Sequence, residues 1–301
     1  MKYDKINGDI GFLEGPHRYE NLKDSSIQYT SVTTMIEKYG KPFDKEFVSR
    51  YKALERLMSA NDWKKEKGGI WKSHKIPDDF LTVYNITPEE LNKVQQDILD
   101  EWAETNRVAC ERGTKIHSQL ENFFYETGSN ITLKKFGIGG KFECKKNYNE
   151  LDLEYGVYPE YLIYYDNPKI DLHIAGQIDL IVKNCNDIHI IDHKSNKKID
   201  LKGFYNSSTR STDKMLYPLT NLDECNFNHY QLQLSTYAWM LQKINPDFVI
   251  KDLILNHYDH DGNNTIYHCS YLKDEVEKML KHFAKQQKLE KQKQKYARIE
   301  Y

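Results

Sequence analysis

The stretch "HIAGQIDLIVKNCNDIHIIDHKSNKK", residues 173–198, decides how the chain reads. It holds two near-continuous apolar runs separated by the turn residues "NCND", and each carries or ends on one aspartate, Asp179 and Asp192. Lys194 follows two positions after the second. Side chains alternate along a strand, so Asp192 and Lys194 share one face and His193 takes the other. A short hairpin sets Asp179 beside Asp192. Burying a carboxylate in a strand is costly unless something compensates it. Two side by side repel, and one protonates unless a cation lies between them. Mg²⁺ or Mn²⁺ would satisfy the pair, being hard, oxygen-seeking and content with two carboxylates, a backbone carbonyl such as that of His193, and water. Lys194 beside such an ion would stabilise charge on a phosphate or orient the attacking water. The plainer alternative is a buried Asp192–Lys194 ion pair with Asp179 capping a turn.

An acidic residue two places before a lysine is in itself uninformative. The chain repeats the spacing at Asp62/Lys64, Glu143/Lys145 and Asp200/Lys202. None of those follows an apolar strand that is itself preceded by a second acidic strand. The informative pattern is the whole succession: apolar run, Gly, Ile-Asp, short turn, Ile-Ile-Asp, lysine.

Around this centre the period of the sequence changes. Residues 155–194 read as three strands, and "NHYQLQLSTYAWMLQKIN" as a helix. Two further strands, joined by the Asp-Gly turn in "HYDHDGNN", precede a basic C-terminal helix from Lys273, with nine Lys or Arg against five Asp or Glu to Tyr301. Upstream, the first third reads helical. "YTSVTTMIEKYG" has a Ser/Thr start and a Gly stop, and Thr87-Pro88-Glu89-Glu90 opens a long helix. Between them "KKEKGGIWKSHKIPDDF" reads as a loop rich in Gly and Lys. The expected architecture is α/β: a mixed central sheet flanked by helices in residues 105–301, with a mostly helical N-terminal lobe over 1–104.

Composition narrows the function classes. With 301 residues, 39% apolar and 29% charged, the chain can fill a core and stay polar outside. No apolar run has membrane length and no signal-peptide pattern opens the chain, so an intracellular location without membrane association is expected. Five scattered cysteines with no CxxC spacing speak against a disulfide framework or a zinc site. A net charge of −2 does not advertise a nucleic-acid partner. Locally, though, "WKKEKGGIWKSHK" interleaves Lys64, Lys65, Lys67 and Lys72 with tryptophan, which suits phosphate contacts and base stacking.

The pattern "AGQIDLIV…IHIIDHKSNK" resembles the core of the PD-(D/E)XK nuclease superfamily, a restriction-endonuclease-like fold, in its RecB-like exonuclease branch. Two companion blocks stand in the expected order. "ERGTKIHSQLE" resembles the branch's G-x-x-x-H helix, with Gly113, His117 and Glu121 on one face, and "YQLQLSTYAWML" its Q-x-x-x-Y helix, with Gln233 and Tyr237. The opening "HRYENLKDSSIQYTSVTTMI" is similar to that of some phage and mitochondrial genome-maintenance exonucleases of the branch.

The resemblance implies that His117 joins Asp179, Asp192 and the His193 carbonyl as a metal ligand and that Lys194 assists catalysis. It gives Glu121, Glu160, Gln233 and Tyr237 supporting roles, and Arg112 suits a phosphate contact. It further implies Mg²⁺ or Mn²⁺ as cofactor and the ends of single- or double-stranded DNA as substrate. The products would be 5′-phosphates, in recombination or repair within a bacterial or phage-infected cell. The four cysteines that hold an iron–sulfur cluster in several members are missing, so no cluster is expected. Two other functions compete: a DNA-binding module of the same fold that does not cut, and a metal phosphoesterase acting on nucleotides.

Overall fold

The structure is a computed structural model describing residues 3–145, 153–206 and 210–297. The last residues of the expected C-terminal helix, 298–301, lie outside these. The chain opens in strands where a helical first third was expected. β1 (Lys5–Asn7), β2 (Ile10–Leu13) and β3 (Arg18–Asn21) form an antiparallel sheet in that order. Strands this short carry almost no periodic signal. They hold because Ile10, Phe12 and Tyr19 bury against Leu162 and Ala175, far along the chain. β4 (Thr30–Ser31) leads into α1 (Val32–Glu37), where Ser31 Oγ accepts a hydrogen bond from the Thr34 amide at 3.1 Å, the Ser start expected there.

Residues 42–112 form one compact unit, and residues 1–41 with 113–301 form the other. The expected division at 104/105 falls inside the smaller unit, and residues 1–41 join the larger one, where β4 pairs in parallel with a strand of the large sheet. The smaller unit contains α2 (Lys45–Leu57), α3 (Ala60–Ser73), α4 (Phe80–Val83) and the first part of α5 (Pro88–Thr127). Phe47, Leu54, Trp63, Ile70, Phe80, Leu91 and Ile98 make its core. The Gly/Lys-rich stretch expected as a loop is largely α3. Ser59 Oγ caps it by accepting from the Asp62 amide at 3.2 Å, and Trp63 and Ile70, two turns apart, bury on one face. That burial outweighs two exposed mid-helix glycines at about 1 kcal/mol each. α5 begins as the sequence indicates, with Thr87 and Glu90 capping each other reciprocally.

The larger unit continues with a hairpin, β5 (Ile131–Leu133) and β6 (Ile138–Phe142). Then follows the antiparallel meander β7 (Gly156–Asn167), β8 (Leu172–Asn184) and β9 (Asp187–Lys194). The short pair β10 (Tyr205–Asn206) and β11 (Ser211–Thr212) precedes α6 (Asn226–Ile244), β12 (Val249–Tyr258), β13 (Asn264–Cys269) and α7 (Lys273–Ala297). The main sheet has the order β13-β12-β9-β8, with β7 and β4 both pairing β8. β12 lies parallel to β9, reached through α6 as a crossover, while its other neighbour is antiparallel. This is the mixed central sheet flanked by helices that was expected.

Both sheet faces are covered, which explains the near-continuous apolar runs of β8 and β9. On one face Ile178, Ile181, Ile188 and Ile190 pack with Leu234, Ala238 and Leu241 of α6 and Phe283 of α7. On the other, Leu180, Val182 and Ile191 pack with Phe124 of α5 and with the β5–β6 hairpin. The "HDGNN" turn is the expected hairpin, with Asp259 Oδ1 accepting from the Asp261 and Asn263 amides. Among the described residues no helix is long and apolar enough to cross a membrane.

Candidate metal centre

The sheet forks at the two aspartates. β8 and β9 pair from Asn184↔Asp187 to Leu180↔Ile191 and no further, after which β8 runs on beside β7 and β4. Asp179 and Asp192 occupy the next step of that register. The hairpin geometry read from the sequence is therefore realised at the point where backbone pairing stops. The β7–β8 ladder is interrupted at the same level, with Pro159↔Leu180 and Tyr161↔Ile178 paired and the step between them left out. Glu160, at that step, has a φ of 50°. A left-handed conformation in a glutamate costs about 1–3 kcal/mol and recurs where structure has been shaped around a site.

Four carboxylates and an imidazole meet here. His117, from α5, places Nδ1 3.3 Å from Glu160 Oε1 and 3.5 Å from Asp179 Oδ1, and Nε2 3.1 Å from the His193 carbonyl oxygen. Ligand atoms of His117, Glu160 and Asp179 all fall within 4.8 Å of one another. Asp179 Oδ2 accepts from the His193 amide at 2.6 Å, which fixes the backbone between Asp192 and Lys194. Gln177 donates to the other oxygen of Glu160. Lys5, from β1, sits 3.0 Å from Glu121 and 4.0 Å from Glu160.

Toward α6 the contacts build a seat for Lys194. Its Nζ lies 2.8 Å from Asp192 Oδ2 and 3.3 Å from Gln233 Oε1, and 4.6 Å from the centre of the Tyr230 ring. Gln233 Nε2 donates to Tyr237 Oη at 3.3 Å. The Tyr237 ring lies so close to Gly176 that a Cβ there would come within 2.5 Å of it. The glycine of "AGQID" and the tyrosine of the α6 block are thus one contact.

Burial and the carboxylate cluster set the charge states. Burial pushes Asp179 up, with His117 opposing and Glu160 adding to the rise. Asp192 is pushed up to about 6 by burial, against the pull of Lys194. His117 is raised to about 9, chiefly by Asp179, with burial opposing and Glu160 assisting. Burial would lower Lys194, but Asp192 and Asp179 outweigh it and raise the amine above its ordinary value. Lys194 is therefore an ammonium, suited to donate to an anion and unsuited to act as a base. His193 is lowered to about 3 by burial, so its ring is neutral, and Asn256 Nδ2 donates to its Nδ1 at 2.9 Å. The backbone of His193 faces the cluster, and its ring meets that of His117 edge-on with centroids 6.3 Å apart.

The structure thus brings together His117, Glu160, Asp179, Asp192, the His193 carbonyl, Lys194, Gln233 and Tyr237. Glu121, one turn beyond His117, joins through Lys5. Arg112, Lys64, Lys65, Lys67 and Lys72 belong to the smaller unit. The four lysines stand exposed, with Lys65 3.6 Å from Asp62. Sequence reasoning missed Lys5, Gln177 and Tyr230. Tyr230 had a faint signal, one helical turn before Gln233, and Gln177 alternates with Asp179 along β8. Lys5 had none.

The ion-pair alternative accounts for Asp192 and Lys194, while Asp179 and Glu160 share the His117 imidazole, with the His193 amide on Asp179 and Gln177 and Lys5 at Glu160. That buried acid, arranged with a carbonyl and an imidazole, is a donor set that could hold a hard divalent cation.

No protein-family profile matches the sequence, and no curated protein resembles it. Among solved structures, the chain is similar to SSO0001 at 17% identity and TM-score 0.26, over 43% of this chain and 48% of that one. It thus spans about half the length of that protein. It is also similar to a protein of Eubacterium rectale described as a candidate exonuclease, at 11% identity and TM-score 0.32, over 84% of this chain and 77% of that one. Likenesses this loose leave the site to be judged on its own geometry.

Proposed function

We propose that the chain is a metal-dependent deoxyribonuclease that hydrolyses phosphodiester bonds from strand ends and leaves 5′-phosphates. The observation that carries this reading is the convergence of His117, Glu160, Asp179 and Asp192 at the sheet fork, with a charged Lys194 seated beside them. The resemblance of the strand and helix blocks to the RecB-like branch supplies the preference for DNA and for ends.

His117, Asp179, Glu160 and the His193 carbonyl would hold the ion, with Asp192 beside them. Mg²⁺ or Mn²⁺ held there would polarise the scissile phosphate and lower the pKa of attacking water. The chain's own groups do the positioning. Asp192, Gln233 and Tyr230 fix the Lys194 ammonium, whose charge stabilises the phosphate as negative charge builds on it. Asp179, holding the His193 amide, keeps the neighbouring carbonyl aimed at the cluster. The exposed lysines of α3 and half-exposed Trp71 suit a passing strand, through phosphate contacts and base stacking.

The test compares wild type with Lys194→Ala on end-labelled linear single- and double-stranded DNA and on a covalently closed circle, with Mg²⁺, Mn²⁺ or EDTA. Mononucleotides are expected from linear DNA only, lost in EDTA and in the variant. Cutting of the circle makes the protein an endonuclease. Binding without cutting makes it a DNA-binding module, and activity confined to nucleotide esters makes it a phosphoesterase.

A further inference from the structure

Lys5 is placed with more care than a surface lysine. It comes from a three-residue strand, and Asn7, two positions on along the same side of that strand, donates from Nδ2 to the Leu162 carbonyl at 2.6 Å. Leu162 stands two residues past Glu160 on β7. The pairing Asn7–Leu162 therefore delivers Lys5 to the level of Glu160, and its side chain is 25% exposed. Its ammonium takes up the Glu121 carboxylate and lies 4.0 Å from Glu160, while Lys194 takes up Asp192.

The cluster has four carboxylates, Glu121, Glu160, Asp179 and Asp192, and two lysines among its contacts. With His117 neutral, as a ligand must be, the four carboxylates and two ammonium groups leave two negative charges, the charge of one divalent cation. Ligand supply agrees with the charge count. Asp192 is engaged by Lys194 and Glu121 by Lys5, so the outer carboxylate on each flank already carries an ammonium. What remains is a tight set of His117, Glu160 and Asp179, with the His193 carbonyl 3.1 Å from His117 Nε2. In a two-ion site the second ion lies about 3.5–4 Å from the first and needs further ligands of its own. Glu121, which Lys5 links to Glu160, is the acidic residue beside the set, and Lys5 already pairs with it.

We infer that the Lys5 ammonium stands where a second metal ion would bind, so that this centre takes a single divalent cation. The inference rests on the metal reading above and deepens it. It makes Lys5 a positioning residue that sets metal stoichiometry.

Mn²⁺ binding, followed by the loss of the free-ion electron paramagnetic resonance signal, tests this without any cleavage assay. Wild type and Lys5→Arg are expected to bind one Mn²⁺ per chain. Lys5→Met is expected to bind two, the second more weakly, with a spin-coupled pair signal at saturation. Adding Glu121→Gln to Lys5→Met removes the outer ligand and is expected to return the count to one. Circular dichroism of each variant verifies that it is folded, and the double variant keeps the comparison valid should the single one be destabilised. Two ions bound by the wild type, or one ion with unchanged affinity in folded Lys5→Met, overturns the inference while the metal reading stands. No Mn²⁺ bound by the wild type removes the metal reading and this inference with it.

Discussion

The two faces of β9 solve the same problem in opposite ways. On one, Asp192 is almost wholly buried and keeps charge in its neighbourhood, because Lys194 pairs with it and is itself held by Gln233 and Tyr230. On the other, His193 is equally buried but surrenders its charge, its ring neutral against Asn256. Burial penalises every ion. A partner at 2.8 Å offsets the penalty for a pair, whereas a group without one simply stays neutral. One strand thus carries a charged face for chemistry and a neutral face for packing, with the His193 carbonyl between them.

The largest effect that separates the faces should come from Lys194. Lys194→Ala leaves Asp192 buried without its cation, which should cost about 3–5 kcal/mol of stability in urea melts and slow cleavage by about 10²–10³-fold. Asp192→Asn combined with Lys194→Met should recover most of the stability while remaining inactive. A double variant as unstable as the single one would show that packing, rather than the unpaired charge, sets the cost.

A smaller effect is expected on the neutral face. Asn256 is fully buried; it donates to His193 Nδ1 and Tyr258 Oη and accepts from Asn264. Asn256→Leu should cost about 1–3 kcal/mol by stranding those partners, with turnover per folded molecule unchanged. A large fall in turnover would mean that the two faces are mechanically coupled through the carbonyl.

A further effect is one of pH on the metal-free protein. His117 titrates near 9 when folded and near its ordinary 6.5 when unfolded, because Asp179 favours its charged form. Its stabilising contribution is therefore complete below about 6.5 and lost as pH rises through about 9. Thermal melts in EDTA should show the midpoint falling across that window, and His117→Gln should flatten the fall. An unchanged slope in the variant would move the effect to another group.

Much of the fold was legible because its elements are long and periodic. β7, β8, β9, α6, β12, β13 and α5 appear where alternation, capping and helical spacing put them. The failures were local signals overruled from a distance. α3 contains Gly68-Gly69 and reads as a loop, yet Trp63 and Ile70 bury one face of it in a core assembled from α2 and α5. β1 to β3 are three or four residues each, too short for any period to register, and are held by β7 and β8.

The site divides along the same line. Asp179, Asp192 and Lys194 were readable because strand alternation and a short turn are local rules that place side chains without reference to the rest of the chain. Helical spacing likewise put His117 above Glu121, and Gln233 above Tyr237. That these blocks meet at a fork, that Glu160 bends into a left-handed conformation there, and that Lys5 crosses 116 positions to reach Glu121 were decided by tertiary packing alone. Side-chain direction within one element follows from backbone period, whereas contact between elements depends on which faces bury together, and no local rule encodes that.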